Sequence, residues 1–297
     1  MIKTFFQTII SIKNSGNHKV LTILGIKIKF KRKLQFLPYF NSIYYNELAK
    51  KIHPKVFEKY KNCHSQDSVV LFATGPSAQY YQPINSAFHL AINSAVLHET
   101  IKFDYIFIHD NLVYDRHSKI LRNSVAAKFC AFHTNIQNAI ENNFSLNQIE
   151  DINADRFIIS DPNIHNIDDN VIDVINPDIA NGYIYDRGGG TVFSALQFLL
   201  YTNPKKIYLV GCDCNNDGYF FGNEKFGSNY LLPKTIRLWK EASYLINKMY
   251  RNTEIISVNP AGLKGLFKDV YTQSYIDTHP ELLKENIEII NEEKVNA

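Results

Sequence analysis

From Ser68 onward the chain repeats one pattern of hydrophobicity: a short apolar run, a polar or small cluster, then a longer helix-like stretch. Strands buried on both faces read as unbroken apolar runs, so this succession predicts a mostly parallel sheet covered by helices. The expected strands are residues 69–72, 88–92, 105–108, 128–132, 157–159, 206–210 and 254–258. The run at 192–200, stopped by Asn203-Pro204, is a helix leading into the strand at 206–210. The fold expected is α/β, a Rossmann-like sheet with helices on both faces.

The opening of the chain reads differently. In Ile26-Lys27-Ile28-Lys29-Phe30-Lys31, apolar and basic residues alternate with period two, which gives a strand one greasy and one cationic face. Arg32 and Lys33 extend the charge. Such a strand suits a sheet edge whose lysines discourage aggregation. It also suits peripheral contact with anionic lipid, where each basic residue contributes about 1 kcal/mol. Residues 1–60 are therefore expected to form a basic and apolar appendage, and 61–297 the α/β domain. Residues 135–186, rich in Asn, Asp and Ile, are expected to connect and to include a lid, and 280–293 to form an amphipathic helix.

Composition narrows the classes. With 297 residues, 45% of them hydrophobic, the chain can bury a substantial core, and a net charge of +3 does not describe a surface built to grip nucleic acid. Cys63, Cys130, Cys212 and Cys214 are few for this length and fit a reducing compartment, and Cys212 and Cys214, without paired CxxC spacing, read as small buried hydrophobes rather than a zinc site. No apolar stretch reaches 18 residues, and no small-residue cleavage site follows the apolar residues 1–12, so a cytoplasmic location is expected, peripheral on the membrane if the basic strand touches lipid.

The chemistry concentrates where the expected strands end. In order, they lead into Thr74-Gly75-Pro76-Ser77, Asn93-Ser94, His109-Asp110-Asn111, His133-Thr134-Asn135, Ser160-Asp161, Gly211-Cys212-Asp213 and Asn259-Pro260. Open α/β sheets bind ligands at this edge. Gly188-Gly189-Gly190-Thr191 immediately precedes the 192–200 helix; bare glycine amides and a Thr191 cap make that helix start a seat for phosphate or carboxylate, with Arg187 as a planar cation beside it. There is neither a Gly-Lys-Ser/Thr loop nor a GxGxxG spacing, which lowers kinase and dehydrogenase readings. Asp110 and Asp213 can hold ribose hydroxyls, a metal or an acceptor proton, or can simply cap the following helices. Tyr230, Lys234, Arg237 and Trp239 add an aromatic and basic mix near the same edge.

In this order the features resemble the bacterial sialyltransferases of glycosyltransferase family 42, over roughly residues 68–267. The resemblance rests on Gly75-Pro76-Ser77, Asn93, Asp110-Asn111, the loop from Arg187 to Thr191 with its helix, Ile207-Tyr208-Leu209-Val210-Gly211-Cys212-Asp213, and Asn259-Pro260. It implies a GT-A-like variant of the fold and a CMP-activated sugar donor held by Thr74, Gly75, Pro76, Ser77, Gly189, Gly190 and Thr191, with nucleotide contacts from Asn93 and Asn111. The acceptor it implies is a bacterial surface glycan or glycolipid. No cofactor beyond the donor substrate is expected.

The sequence departs from that family at one point. Its members carry a histidine general base beyond the strand end occupied here by Asp213, and residues 219–240 contain no histidine. The tyrosines that steady the departing phosphate are represented by Tyr219, with Phe221 or Tyr230 as partner. Arg187 and Tyr219 are thus expected to stabilise the leaving group, and Asp213 or Asp217 to take the acceptor proton. A donor carrying 3-deoxy-manno-octulosonic acid (Kdo) fits as well as a sialic acid donor. The alternatives are a phosphotransferase acting on a nucleotide or pterin, and a non-catalytic nucleotide-binding module.

Overall fold

The computed structural model describes residues 10–15, 18–23, 26–31, 36–84, 86–134, 142–159, 175–185, 190–222 and 231–290, with side chains from Tyr44 onward. The chain divides into two compact units, Met1–Tyr44 and Tyr45–Ala297. The division falls inside helix α1 (Phe36–Phe57), earlier than the boundary expected near residue 60, because Val56 and Phe57 at the end of that helix belong to the core of the larger unit.

In the smaller unit, β1 (Ile10–Ser15), β2 (His18–Ile23) and β3 (Ile26–Lys31) form an antiparallel meander. Its register pairs Leu21 with Ile12 and Ile28, and Val20 with Lys13 and Lys29. Because cross-strand partners share a face, Ile10, Ile12, Leu21, Ile23, Ile26, Ile28 and Phe30 fall on one side, with Lys19 opposite Phe30, and Lys13, Lys27, Lys29 and Lys31 fall on the other. Arg32 and Lys33 lie outside the described residues.

The larger unit is built on one eight-stranded sheet in which every pair is parallel. Its strands are β4 (Ser68–Phe72), β5 (Ala87–Ile92), β6 (Tyr105–Ile108), β7 (Ala127–His133), β8 (Ala154–Ile159), β9 (Lys206–Val210), β10 (Glu254–Val258) and β11 (Lys268–Val270). The spatial order is β11-β10-β9-β4-β5-β6-β7-β8. From β4 the chain winds outward to β8, then returns to lay β9 on the other side of β4 and winds away to β11. The reversal between β4 and β9 is a topological switch point, where strand-end loops diverge and leave a crevice.

Helices cover both faces. On β4, Val69 and Leu71 point to one core and Val70 and Phe72 to the other. The first core takes α1, α4 (Thr191–Tyr201) and α5 (Leu231–Met249); the second takes α2 (Asn111–Asn123) and α3 (Leu146–Asp151). Aromatic rings fill the first: Phe107 lies 4.8 Å from Phe129 and 5.1 Å from Phe198 between ring centres. α4 is buried along nearly its whole length, which explains why its sequence shows almost no polar face.

Two expectations fail or fall short here. Over its described part, 280–290, the span expected to be an amphipathic helix at 280–293 is not one. Pro280–Lys284 is a single 3-10 turn after the short helix α6 (Gln273–Thr278), and residues 285–290 run extended, with Tyr271 bridging to Ile289 in parallel. Leu282 is buried while Leu283 is exposed, and the ion pairs Lys264–Glu285 and Lys268–Glu288 hold the extended stretch to the body. Between 135 and 186 the described parts hold α3, β8 and residues 175–185; the expected lid falls largely on residues outside them. Among the described residues no helix is long and apolar enough to cross a membrane.

Candidate functional site

The switch point is where the chain's glycines and polar residues meet. After β4, Gly75 donates its N–H to the Gly211 carbonyl at 2.9 Å. A side chain at Gly75 would strike the Asp213 carboxylate and the Gly211 carbonyl, so only glycine permits this approach. Gly211 has φ +64°, and a Cβ there would lie 2.7 Å from the Ala73 carbonyl. The two loops are then locked by a buried carboxylate: Asp213 accepts from the Ser77 N–H at 2.8 Å and from the Ser77 hydroxyl. Burial raises the Asp213 pKa, Ser77 opposes the rise, and the charge on Asp217 adds to it. With both oxygens engaged, Asp213 ties loop to loop, and this occupation is the physical objection to its serving as the acceptor's base.

Two adjoining clefts open above this clamp. The inner one, about 280 Å³, is walled by Gly75, Gly190, Thr191, Gly211, Asp213 and Trp239 among others. The outer one, about 450 Å³, is walled by Ser94, Asp110, Arg116, His117, Phe221 and Gly222 among others. Thr74, Asn93 and Tyr219 line both. Asn93 sits in the left-handed region (φ +46°), which asparagine tolerates better than most residues. Its side chain accepts from the His109 N–H at 3.1 Å and donates to the Thr191 hydroxyl at 2.9 Å, joining the ends of β5 and β6 to the start of α4.

At that helix start the structure alters one role. Gly190, at φ +80°, is the cap position, and Thr191 is the first helical residue, so the Thr191 hydroxyl serves Asn93 instead of capping. Gly190, Thr191 and Val192 line the inner cleft, which presents the amino end of an eleven-residue helix to it. Arg187 and Gly189 lie outside the described residues.

Other expected site residues are placed apart or otherwise occupied. Asp110 caps α2, accepting from the Leu112 N–H at 2.8 Å, while its side of the loop borders the outer cleft. Asn111 borders neither cleft; its amide reaches the Asn143 carbonyl at 3.4 Å, and its Oδ1 is buried without a hydrogen-bond partner among the described residues. Pro76 and Ser77 begin a 3-10 turn, and Ser77 is spent on Asp213. Asp217 is exposed, accepts from the Asn215 amide at 2.6 Å and borders neither cleft. Asn259 is fully buried and exchanges hydrogen bonds with Thr272, 2.8 Å from the Thr272 N–H, so it ties β10 to the start of α6. Tyr219 stands between the clefts with its ring stacked on Phe221 at 5.2 Å.

Trp239 is core, packed 4.9 Å from Phe193 and 5.8 Å from Phe267, with Arg237 on the exposed side of the same helix beside Glu241. Burial pushes the Cys214 thiol up to about 12 and holds the Cys212 thiol well above its ordinary value, so both stay protonated. Two residues escaped the sequence reading. Leu112, Val113, Arg116 and His117 form one helical stripe beneath the Asp110 cap and bring Arg116 and His117 to the outer cleft. The available signal was the spacing from Asp110 to His117, two helical turns.

No protein-family model matches the chain, and no curated protein matches it either. Among solved structures it is similar to the sialyltransferase CstII from Campylobacter jejuni in complex with the substrate analogue CMP-3FNeuAc, at 15% identity over 65% of this chain and 81% of that one, with a TM-score of 0.38. It is likewise similar to the sialyltransferase CST-II in complex with trisaccharide acceptor and CMP, at 15% identity over 64% and 80% of the two chains, TM-score 0.39. A third similar structure is CstII from Campylobacter jejuni with cytidine-5'-monophosphate, at 17% identity over 64% and 79%, TM-score 0.38.

Proposed function

We propose that this chain is a glycosyltransferase that moves a sugar from a nucleotide-activated donor to a glycan hydroxyl, with a CMP-linked acid such as sialic acid or Kdo as donor and a bacterial surface glycan or glycolipid as acceptor. The observation that supports the reading best is the pair of clefts joined at Thr74, Asn93 and Tyr219 over the β4/β9 switch point. The inner cleft offers what a nucleotide phosphate requires: close backbone, a glycine-capped helix start and walls of mixed polarity. The outer cleft offers room and polar groups for a sugar and its acceptor.

In the proposed reaction an oxygen lone pair of the acceptor hydroxyl forms a bond to the anomeric carbon. The bond from that carbon to the donor phosphate breaks, and its electron pair stays on the phosphate oxygen. Charge therefore grows on the departing CMP, where the start of α4, Tyr219 and Arg187 would stabilise it. The step needs no group beyond the donor itself.

The test is release of CMP on incubation with CMP-sialic acid or CMP-Kdo and lipooligosaccharide. Acceptor-dependent release is expected, and Arg187→Ala should cut it by roughly 10²-fold or more. No release from either donor would favour a phosphotransferase, and CMP binding without release a non-catalytic module. The meander is proposed to rest on anionic lipid through Lys27, Lys29, Lys31, Arg32 and Lys33. Vesicles containing phosphatidylserine should carry the protein in flotation and lose it when Lys27, Lys29 and Lys31 are replaced by Gln.

A further inference from the structure

The outer cleft holds a titratable group that neither the sequence reading nor the reaction just described uses. α2 is broken at His117, whose backbone leaves helical geometry at φ −129° and ψ 15°. The break leaves the imidazole on the wall of the outer cleft, with Nε2 3.2 Å from the Ser94 hydroxyl. Ser94 also lines that cleft and follows Asn93, the residue that borders both clefts and bonds to the start of α4. A kinked helix, a serine partner and a shared wall together hold an imidazole beside the space where donor and acceptor would meet.

We propose that His117, working through the Ser94 hydroxyl, is the general base that takes the proton of the acceptor hydroxyl. The assignment rests on the glycosyltransferase reading and supplies the proton acceptor that Asp213 and Asp217 are badly placed to provide. With the Ser94 hydroxyl donating to Nε2, the acceptor oxygen bonds to the anomeric carbon as its proton passes to Ser94 Oγ. Ser94 gives its own proton to Nε2 in the same step, and the electron pair of the broken bond leaves on the CMP phosphate. Serine is regenerated, and the imidazolium later returns its proton to solvent.

The surroundings suit a base. Among the described residues, the charged and titratable groups facing the cleft are Asp110 and Arg116 at the cap and on the stripe of α2, and the Tyr219 phenol from the loop after β9. Partial burial, then the Arg116 cation, lower the His117 pKa below its ordinary value, with the Arg116 backbone opposing them. Imidazole is therefore neutral at pH 7 and able to accept a proton. As pH falls through the lowered pKa, the base protonates and kcat/KM declines.

The experiment uses the full chain with lipooligosaccharide and whichever of CMP-sialic acid or CMP-Kdo releases CMP. His117→Gln should lower kcat by roughly 10²–10⁴-fold with little change in donor KM, and should abolish the acidic limb of the pH profile. Added imidazole should restore part of the rate to His117→Ala, and Arg116→Gln should move the limb to higher pH by removing a neighbouring cation. A purely structural role would produce neither the rescue nor the shifted limb. If His117→Gln, folded by circular dichroism, keeps its turnover and its acidic limb, the assignment is overturned and the glycosyltransferase reading stands. A wild-type protein that releases CMP from neither donor overturns both.

Discussion

Asp213 shows how one side chain can be read two ways until its partners are seen. As a carboxylate at a strand end it is a natural candidate for ribose or proton chemistry, but both its oxygens are committed to Ser77, across the crevice the ligand would occupy. Its work is to fix the spacing of the two loops. Asp213→Ala leaves a buried N–H and hydroxyl unpaired and should cost about 1–3 kcal/mol in urea denaturation. Gly75→Ala is the complementary test: its methyl would press on the Asp213 carboxylate and the Gly211 carbonyl, so CMP affinity, read by calorimetry, should fall about tenfold or more. An undiminished affinity would mean the loops yield more easily than their packing implies.

At the scale of elements, α4 and α5 decide whether the inner cleft has a wall. α4 carries ten buried residues in its eleven and offers its start to the cleft, while α5 reaches over it with Leu232, Thr235 and Trp239. The contact of Trp239 with Phe193 joins the two helices, so Trp239→Ala should destabilise the protein by about 3–5 kcal/mol and weaken nucleotide binding with it. Loss of stability with undiminished CMP binding would separate packing from the cleft. The run at 192–200 was legible as a helix because its length and its Asn203-Pro204 stop are local features. The identity of its cap was not, because Gly190 and Thr191 are both acceptable there and Asn93, some hundred residues earlier, claims the threonine hydroxyl.

Across the whole molecule, buried histidines link stability to pH. His53 is held at Nδ1 by the Ile179 and Gly182 carbonyls and accepts from the Ile158 N–H at Nε2, so its neutral form is the one that fits. Burial lowers its pKa and that of His89, and burial with the nearby His133 lowers His109 to about 3. A histidine with a depressed folded pKa contributes stability that is present above about 6.5 and is lost as pH falls toward the folded value. Each such group should remove at most about 1.4 kcal/mol per pH unit below that point. Urea midpoints measured between pH 7.5 and 5 should therefore fall, and His109→Gln should flatten the slope; a midpoint independent of pH would contradict the burial of these rings.

Most of the sheet could be foreseen residue by residue, since strands buried on both faces must be apolar without interruption and local patterning records that demand. The strand at 268–270 could not, being three residues of mixed character recruited by its neighbour β10. The tail looked helical because apolar residues recur in it, yet pairing with Tyr271 and ion pairs to Lys264 and Lys268 drew it into an extended course. By itself, the sequence determined the α/β class, the strand ends and the glycines that let backbones approach. Only the tertiary structure decided that β9 lies beside β4, that Asp213 closes on Ser77 and that His117 turns to the outer cleft, because each depends on contacts between residues far apart in the chain, which no local pattern encodes.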